Sequence, residues 1–283
     1  MICWPGTGSV ILPGVAHVDL SQNSIIQSES SFRVLNAGAL RWIVRTQFFN
    51  KTLQRILEEP DAFLRDPGLH FKNYSLATIA RVPPIADEEN PLVVRRLNYG
   101  RLSHRLRDLL RTSRARRAFN RGLQLERNAI RTPRMIAVGE WRRLGWPMKA
   151  YVVTEEVSGA VSIGRFFTQK HFLPRSVVCQ SAELIARLHN AGFSHRDLKD
   201  TNVLLDGRLM PWVIDLDGVR YRRSVSMRRA ILDLAILANC FRAHARVLRW
   251  SGARFLKTYC QVRAMGNAFR QLANRIMRQI EGG

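Results

Sequence analysis

The sequence predicts an α+β chain in which a small strand-rich part precedes a helical one. Three observations carry this. Apolar residues alternate in "FKNYSLATIARV" and "PLVVRRL", a second strand pair reads from "MIAVGEWRRLGWPMKAYVVTEEV", and helical spacing marks "SVVCQSAELIARLHNAGF" and the tail beyond Met227. At 283 residues the chain is long enough for one large domain or a two-lobed one.

In order, "SFRVLNAGALRWIVR" reads as a short strand and "TLQRILEEPDAFL" as a short helix ending near Pro60. The alternating runs are separated by the turn-rich "PPIADEEN", which makes them a hairpin with Val93 and Val94 in its second strand. An Arg-rich helical region is predicted over about 103–128; Pro133 stops it, because the residue before a proline disfavours helix. The next strand pair turns at Gly145-Trp146-Pro147. Ser176 is placed to N-cap the helix that follows, and Gly192 to end it in a left-handed turn. "NVLLD" and "PWVID" are short strands around Gly207.

Forty-five basic against 22 acidic residues give a net charge of +23, and only six of the basic residues are lysines. A compositional preference for arginine explains that ratio better than it explains the net charge, which favours phosphate-bearing partners. The four cysteines (3, 179, 240, 260) show no CxxC pair and read as reduced thiols. No apolar run approaches the ~20 residues of a spanning helix. The N-terminus lacks a basic segment and carries Pro and Gly in its apolar part, so no signal peptide and a cytoplasmic location are expected.

"HRDLKDTN", residues 195–202, carries the chemistry. Phosphoryl transfer needs an oriented nucleophile, Mg²⁺ bridging the phosphates, and positive charge on the equatorial oxygens. Asp197 can accept the proton of an acceptor hydroxyl, Lys199 can reach the transferring phosphate, and Asn202 can offer an amide oxygen to Mg²⁺. "VIDLDG" places Asp215 at a strand end as a second metal ligand, and one Asp with one Asn suits Mg²⁺, which prefers few carboxylates plus phosphate oxygens. The loop matches the H-R-D-L-x-x-x-N pattern of protein kinases, with "DLDG" where they have D-F-G. A purely structural alternative has His195 and Arg196 packing locally while the Asp residues cap turns.

The wider run "VVRRLN…TPRMIAVGE…YVVTEEV…LIARLHNAGFSHRDLKDTNVLL…VIDLDGVR" resembles the bacterial lipopolysaccharide kinase family (Kdo/WaaP type) over roughly residues 63–240. The resemblance implies a two-lobed protein-kinase-like fold, with a small β-rich N-lobe and a helical C-lobe. It implies ATP and Mg²⁺ as cofactors, a heptose or Kdo hydroxyl as acceptor, and work at the inner face of the cytoplasmic membrane. It divides the chain into residues 1–60, an extension of unclear role, an N-lobe at 61–157 and a C-lobe at 158–283. It also makes Asp197 the catalytic base, Asn202 and Asp215 the metal ligands, and Glu155, Glu156 and Val157 the hinge that meets adenine. Asp233 would brace the catalytic loop, or else be an ordinary helix-face carboxylate.

Two parts depart from the family pattern. Arg95, beside Arg96, stands where a strand lysine should grip the nucleotide phosphates, and the swap is not conservative at a tightly shaped site. For the partner glutamate only Glu126 is available between Asp108 and Glu140, and a solvent-facing residue is the competing reading. "KNYSLAT" stands without glycines where the phosphate-covering loop should be. An active kinase is the leading reading, with a nucleotide-binding or scaffolding pseudokinase as its rival.

Residues 101–121 carry eight arginines and 220–229 carry five. The first cluster reads either as a solvated helix face or as a dock for anionic lipid; the second suits an anionic glycolipid or sugar acceptor. Asp233 follows Asp215 by 18 residues and no A-P-E appears, which leaves little room to hold a peptide. An RNA- or ribosome-associated role is a further alternative. Against nucleic acid, no stacking array of aromatics is interleaved with the arginines.

Overall fold

Between residues 31 and 65, where one strand and one helix are expected, the chain builds two of each. The computed structural model describes residues 15–19, 31–74, 77–85, 90–98, 112–244, 248–266 and 268–282. Strands β2 (Phe32–Ala37) and β3 (Leu40–Arg45) form a hairpin around Gly38, whose positive φ the turn requires. Helix α1 (Lys51–Glu58) is capped by Asn50, whose Oδ1 accepts the Leu53 N–H at 2.8 Å. It ends at Glu58, near Pro60 as expected, and Pro60 opens a second helix, α2 (Pro60–Arg65), at the first position, where its missing N–H costs nothing.

The chain divides into two compact units, Met1–Ser113 with Ile136–Val153, and Arg114–Met135 with Thr154–Gly283. In the first, the remaining strands are β1 (Val15–Asp19), β4 (His70–Tyr74), β5 (Ala77–Val82), β6 (Leu92–Leu97), β7 (Met135–Arg143) and β8 (Trp146–Glu155). They form one sheet in the order β1-β2-β3-β7-β8-β6-β5-β4 among the described residues. The run expected as one strand over 71–82 is thus two, β4 and β5, paired antiparallel. The β7–β8 turn sits at Leu144 and Gly145, both at positive φ, one residue before the expected position, and Trp146 and Pro147 belong to the strand. Residues 32–45 belong to the sheet: β2 and β3 are two of its strands, and β3 pairs with β7. On the same sheet face, Leu53, Ile56 and Leu57 of α1 bury completely with Trp42, Val94 and Tyr151, contributing about 1.5–3 kcal/mol per large side chain.

The second unit is largely helical. It holds α3 (Arg114–Arg127), α4 (Ile163–Lys170), α5 (Arg175–Asn190), α6 (Met227–Cys240), α7 (Ala253–Val262) and α8 (Phe269–Glu281). Short strands β9 (Val161–Ser162), β11 (Val203–Leu205) and β12 (Pro211–Val213) form one small sheet, and β10 (Phe193–Ser194) pairs with β13 (Arg220–Tyr221). Val177, Ile185, Leu198, Leu234 and Tyr259 anchor its core. Ser176 is not the cap of α5; Pro174 holds that position without a side-chain bond, and Ser176 lies inside the first turn. Gly192 does take the left-handed conformation expected of it (φ +84), and the Arg222 carbonyl lies 2.1 Å from where a Cβ would stand. The first eleven residues of the predicted 101–121 arginine segment lie outside the described residues, so the Arg-rich helix is described from Arg114 onward.

Candidate active site

The 195–202 loop leaves strand β10 and is fixed by its backbone before any side chain acts. Arg196 sits at φ +69, a left-handed conformation that costs an arginine about 1–3 kcal/mol and persists only where surroundings impose it. Asp233, fully buried on α6, imposes it. Its Oδ2 accepts the His195 N–H and its Oδ1 the Arg196 N–H, both at 2.9 Å. The Arg229 guanidinium donates to the same Oδ1, and His189 Nε2 lies 3.3 Å from Oδ2. Burial works against the Asp233 carboxylate, but the donors from His189 and Arg229 outweigh it and hold the carboxyl below its usual range. Asp233 is therefore a brace and not a helix-face carboxylate.

Two residues behind it escaped the sequence reading. His189 Nδ1 meets the Tyr259 hydroxyl at 2.7 Å, so with the proton on Nε2 the ring donates to Asp233 and accepts from Tyr259. Burial lowers the pKa of His189, despite the neighbouring Asp233 carboxylate, and burial raises that of the Tyr259 hydroxyl. Nothing local in "ARLHNAGF" or "LKTYC" announces this chain, because its members are 70 and 44 residues apart.

His195 is buried and its Nε2 donates to the Ile214 carbonyl at 2.8 Å, tying the loop to the residue before Asp215. The Ile214 N–H donates in turn to the Asn202 carbonyl at 3.0 Å. Asn202 Nδ2 donates to the Asp197 carbonyl at 2.8 Å. This spends the amide nitrogen and leaves Oδ1 for a cation, which is the atom Mg²⁺ requires. Asp215, at φ +60, follows Ile214 directly, so the two predicted metal ligands are joined by one hydrogen-bonded peptide link. Lys199 Nζ lies 2.9 Å from Asp197 Oδ1 and 3.1 Å from Oδ2, and the bond from Asp197 raises the lysine pKa and keeps it charged. Both side chains are about half exposed, so the pair is worth roughly 0–1 kcal/mol and is cheap to open.

Glu155, Glu156 and Val157 line a cavity of about 380 Å³ with Arg134, Asp206 and Trp212, among others. The Glu155 N–H donates to the Arg134 carbonyl at 3.0 Å. The Val157 N–H donates to no described residue. Glu126 is half-buried, and its Oε1 accepts the Met135 N–H at 2.8 Å, which holds the connection from α3 into β7.

Arg95 and Arg96 separate cleanly in the first unit. Arg96 bonds Asp61 of α2 at 3.0 Å, on the sheet face that α1 and α2 cover. Strand alternation puts Arg95 on the opposite face. Asp61 also accepts from Lys149 at 2.5 Å and Tyr151 at 2.8 Å. Burial disfavours its charge, yet these bonds and that of Arg96 hold its carboxyl below the usual value.

A braced H-R-D loop, an Asp after a short strand and an α+β chain in two units define a protein-kinase-like protein. A profile of the "Lipopolysaccharide kinase (Kdo/WaaP) family" matches residues 87–259, more than half of the sequence. The chain belongs to that family. It is 27% identical over 121 residues to a 3-deoxy-D-manno-octulosonic acid kinase of Vibrio parahaemolyticus, covering 43% of this chain and 50% of that protein. The corresponding kinase of Stenotrophomonas maltophilia is 33% identical over 94 residues, 33% of this chain and 36% of that one. The chain thus spans about half, or less, of the length of the curated relatives it matches. A solved structure described as WaaP in complex with acyl carrier protein superposes with a TM-score of 0.58 at 20% identity, over 83% of this chain and 97% of that one, which shows a shared fold.

Proposed function

We propose that this protein is an ATP- and Mg²⁺-dependent kinase of a sugar hydroxyl on a lipopolysaccharide-core-like glycolipid. The observation that carries the reading is the loop in which Asp197, Lys199 and Asn202 are fixed through Asp233 and linked by hydrogen bonds to Ile214 and so to Asp215. The relatives named as 3-deoxy-D-manno-octulosonic acid kinases favour a Kdo over a heptose acceptor.

Asn202 Oδ1 and Asp215 would hold Mg²⁺, which when bound would neutralise phosphate charge. Val157 offers its N–H to the adenine edge, and Arg95 serves as the phosphate-binding cation. Asp197 orients the acceptor hydroxyl and takes its proton as the oxygen bonds to the γ-phosphorus and ADP departs. Lys199 leaves Asp197 for the transferring phosphate, an exchange that the low cost of an exposed ion pair permits. No helix among the described residues is long and apolar enough to cross a membrane, and the net charge of +23 suits peripheral contact with anionic lipid at the inner face of the cytoplasmic membrane.

The test follows γ-labelled ATP, with Mg²⁺, into a membrane glycolipid extract. Label is expected in a lipid-linked sugar, reduced about 10²–10⁴-fold in Asp197→Ala, where the base is removed. It should be lost in Asp215→Ala and Arg95→Ala and retained in Arg95→Lys. No label from folded protein, in an extract that a known kinase can phosphorylate, would favour the nucleotide-binding scaffold instead.

A further inference from the structure

Six arginines, at 121, 196, 220, 222, 228 and 229, line one cavity of about 630 Å³ in the second unit, and no Asp or Glu lines it. The sequence places them in three separate stretches. The fold brings Arg121 in on α3, Arg196 on the 195–202 loop, Arg220 on β13, Arg222 just after it, and Arg228 and Arg229 at the start of α6. The wall is built by backbone: Ser194 pairs with Arg220 and Phe193 with Tyr221, and the Arg222 N–H donates to the Gly192 carbonyl at 2.8 Å.

Few of these charges are answered. Arg229 reaches Asp233 through one terminal nitrogen, but its Nε is buried without a hydrogen-bond partner. Arg121 Nη1 is held by the neutral Gln124 at 2.6 Å, and burial, with the charge of Arg220 adding to it, lowers the arginine pKa. Arg196, Arg220, Arg222 and Arg228 form no ion pair with any described residue. The first turn of the 14-residue helix α6 opens at Ser226, another lining residue, and a helix N-terminus favours negative charge. Guanidiniums converging on a concavity without counter-charge repel one another unless an anion sits among them. Their planar donor pairs match phosphate oxygens best.

We propose that this cavity is an anion site for a phosphate or pyrophosphate group, separate from the transfer site. Its walls include none of Asp197, Lys199, Asn202 or Asp215, so it stands whether or not the kinase reading holds. Its volume exceeds that of a bare phosphate and leaves room for the molecule that carries one. That carrier is either a free phosphate compound or a lipid headgroup.

The full chain is titrated with inorganic pyrophosphate by calorimetry, at constant ionic strength and without Mg²⁺. Binding is expected in the wild type, in Asp215→Asn, and in Arg254→Ala/Arg275→Ala, which removes two exposed arginines outside the cavity. Arg220→Ala/Arg222→Ala should weaken it about tenfold or more per arginine, the usual worth of a hydrogen bond to a charged group. That variant should melt no lower than the wild type without ligand, since it relieves repulsion. If it does not fold, Arg220→Lys/Arg222→Lys keeps the charge, loses the paired donors, and should still bind several-fold more weakly. Vesicles of phosphatidic acid in phosphatidylcholine identify the carrier. Displacement of pyrophosphate by the vesicles indicates a lipid headgroup, and its absence a free compound. The site would be overturned by equal binding in the wild type and the cavity variants, by an equal loss in Arg254→Ala/Arg275→Ala, by loss in Asp215→Asn, or by no binding at all.

Discussion

Replacing Asp233 by alanine tests the architecture of the catalytic loop more directly than any change within it. The substitution leaves the buried His195 N–H and the part-buried Arg196 N–H without their acceptor and strips Arg229 of its carboxylate. A buried N–H without a partner costs about 1–3 kcal/mol, and removing one partner of a buried charge pair about 3–5 kcal/mol. These overlap, because the same atoms are counted in both, so the expected loss is about 3–5 kcal/mol. Against a typical total stability of about 5–15 kcal/mol the variant should fold but only marginally. Urea denaturation measures the loss, and amide exchange locates it. The His195 and Arg196 amides should lose protection more than those of β11 and β12, which are held by sheet pairing. A loss under about 1 kcal/mol, or undiminished protection at those two amides, would refute the claim that Asp233 imposes the left-handed Arg196 conformation.

Two further outcomes follow from the ionisable clusters. Buried His189 has a lowered pKa, so the unfolded state takes up a proton below about pH 6.5 that the folded state resists, and stability should fall with acidification through that value by up to about 1.4 kcal/mol per unit. His189→Gln should remove this phase from a pH series of thermal melts, and its persistence would assign it elsewhere. Asp61→Asn should cost about 1–3 kcal/mol in bonds to Arg96, Lys149 and Tyr151, the upper end being reduced by the exposure of both cations. Because the Asp61 carboxyl is held low, its contribution is present above about pH 3.9 and lost as pH falls through the folded value. The fluorescence of Trp42, 5.8 Å from Tyr151, should report the change.

What could be read from the sequence was local. "HRDLKDTN" and "VIDLDG" were legible because their candidate residues are near neighbours in sequence. The hydrogen bonds among Asp197, Lys199 and Asn202 span only two to five positions. Asp233 was legible through the family pattern, although its choice between brace and surface residue needed the fold. The Asp61 cluster gave no signal, since its bonds to Arg96 and Lys149 cross 35 and 88 residues. Arg121 likewise looked like one more charge on an Arg-rich helix until the fold set it beside Arg196 and Arg220. Ser176 misled for a smaller reason: the helix begins at Arg175, so Pro174 takes the cap position and Ser176 falls inside the first turn.

The brace on the catalytic loop also sets an order of assembly. The loop at 195–202 leaves the ribosome before Asp233, and Asp233 before Tyr259, yet the conformation of the earliest segment depends on the later two. During synthesis the transfer residues therefore emerge without the anchors that shape them, and they gain their geometry only once α6 and α7 have followed. A nascent chain halted before Asp233 would carry every residue of the loop and none of its carboxylate support.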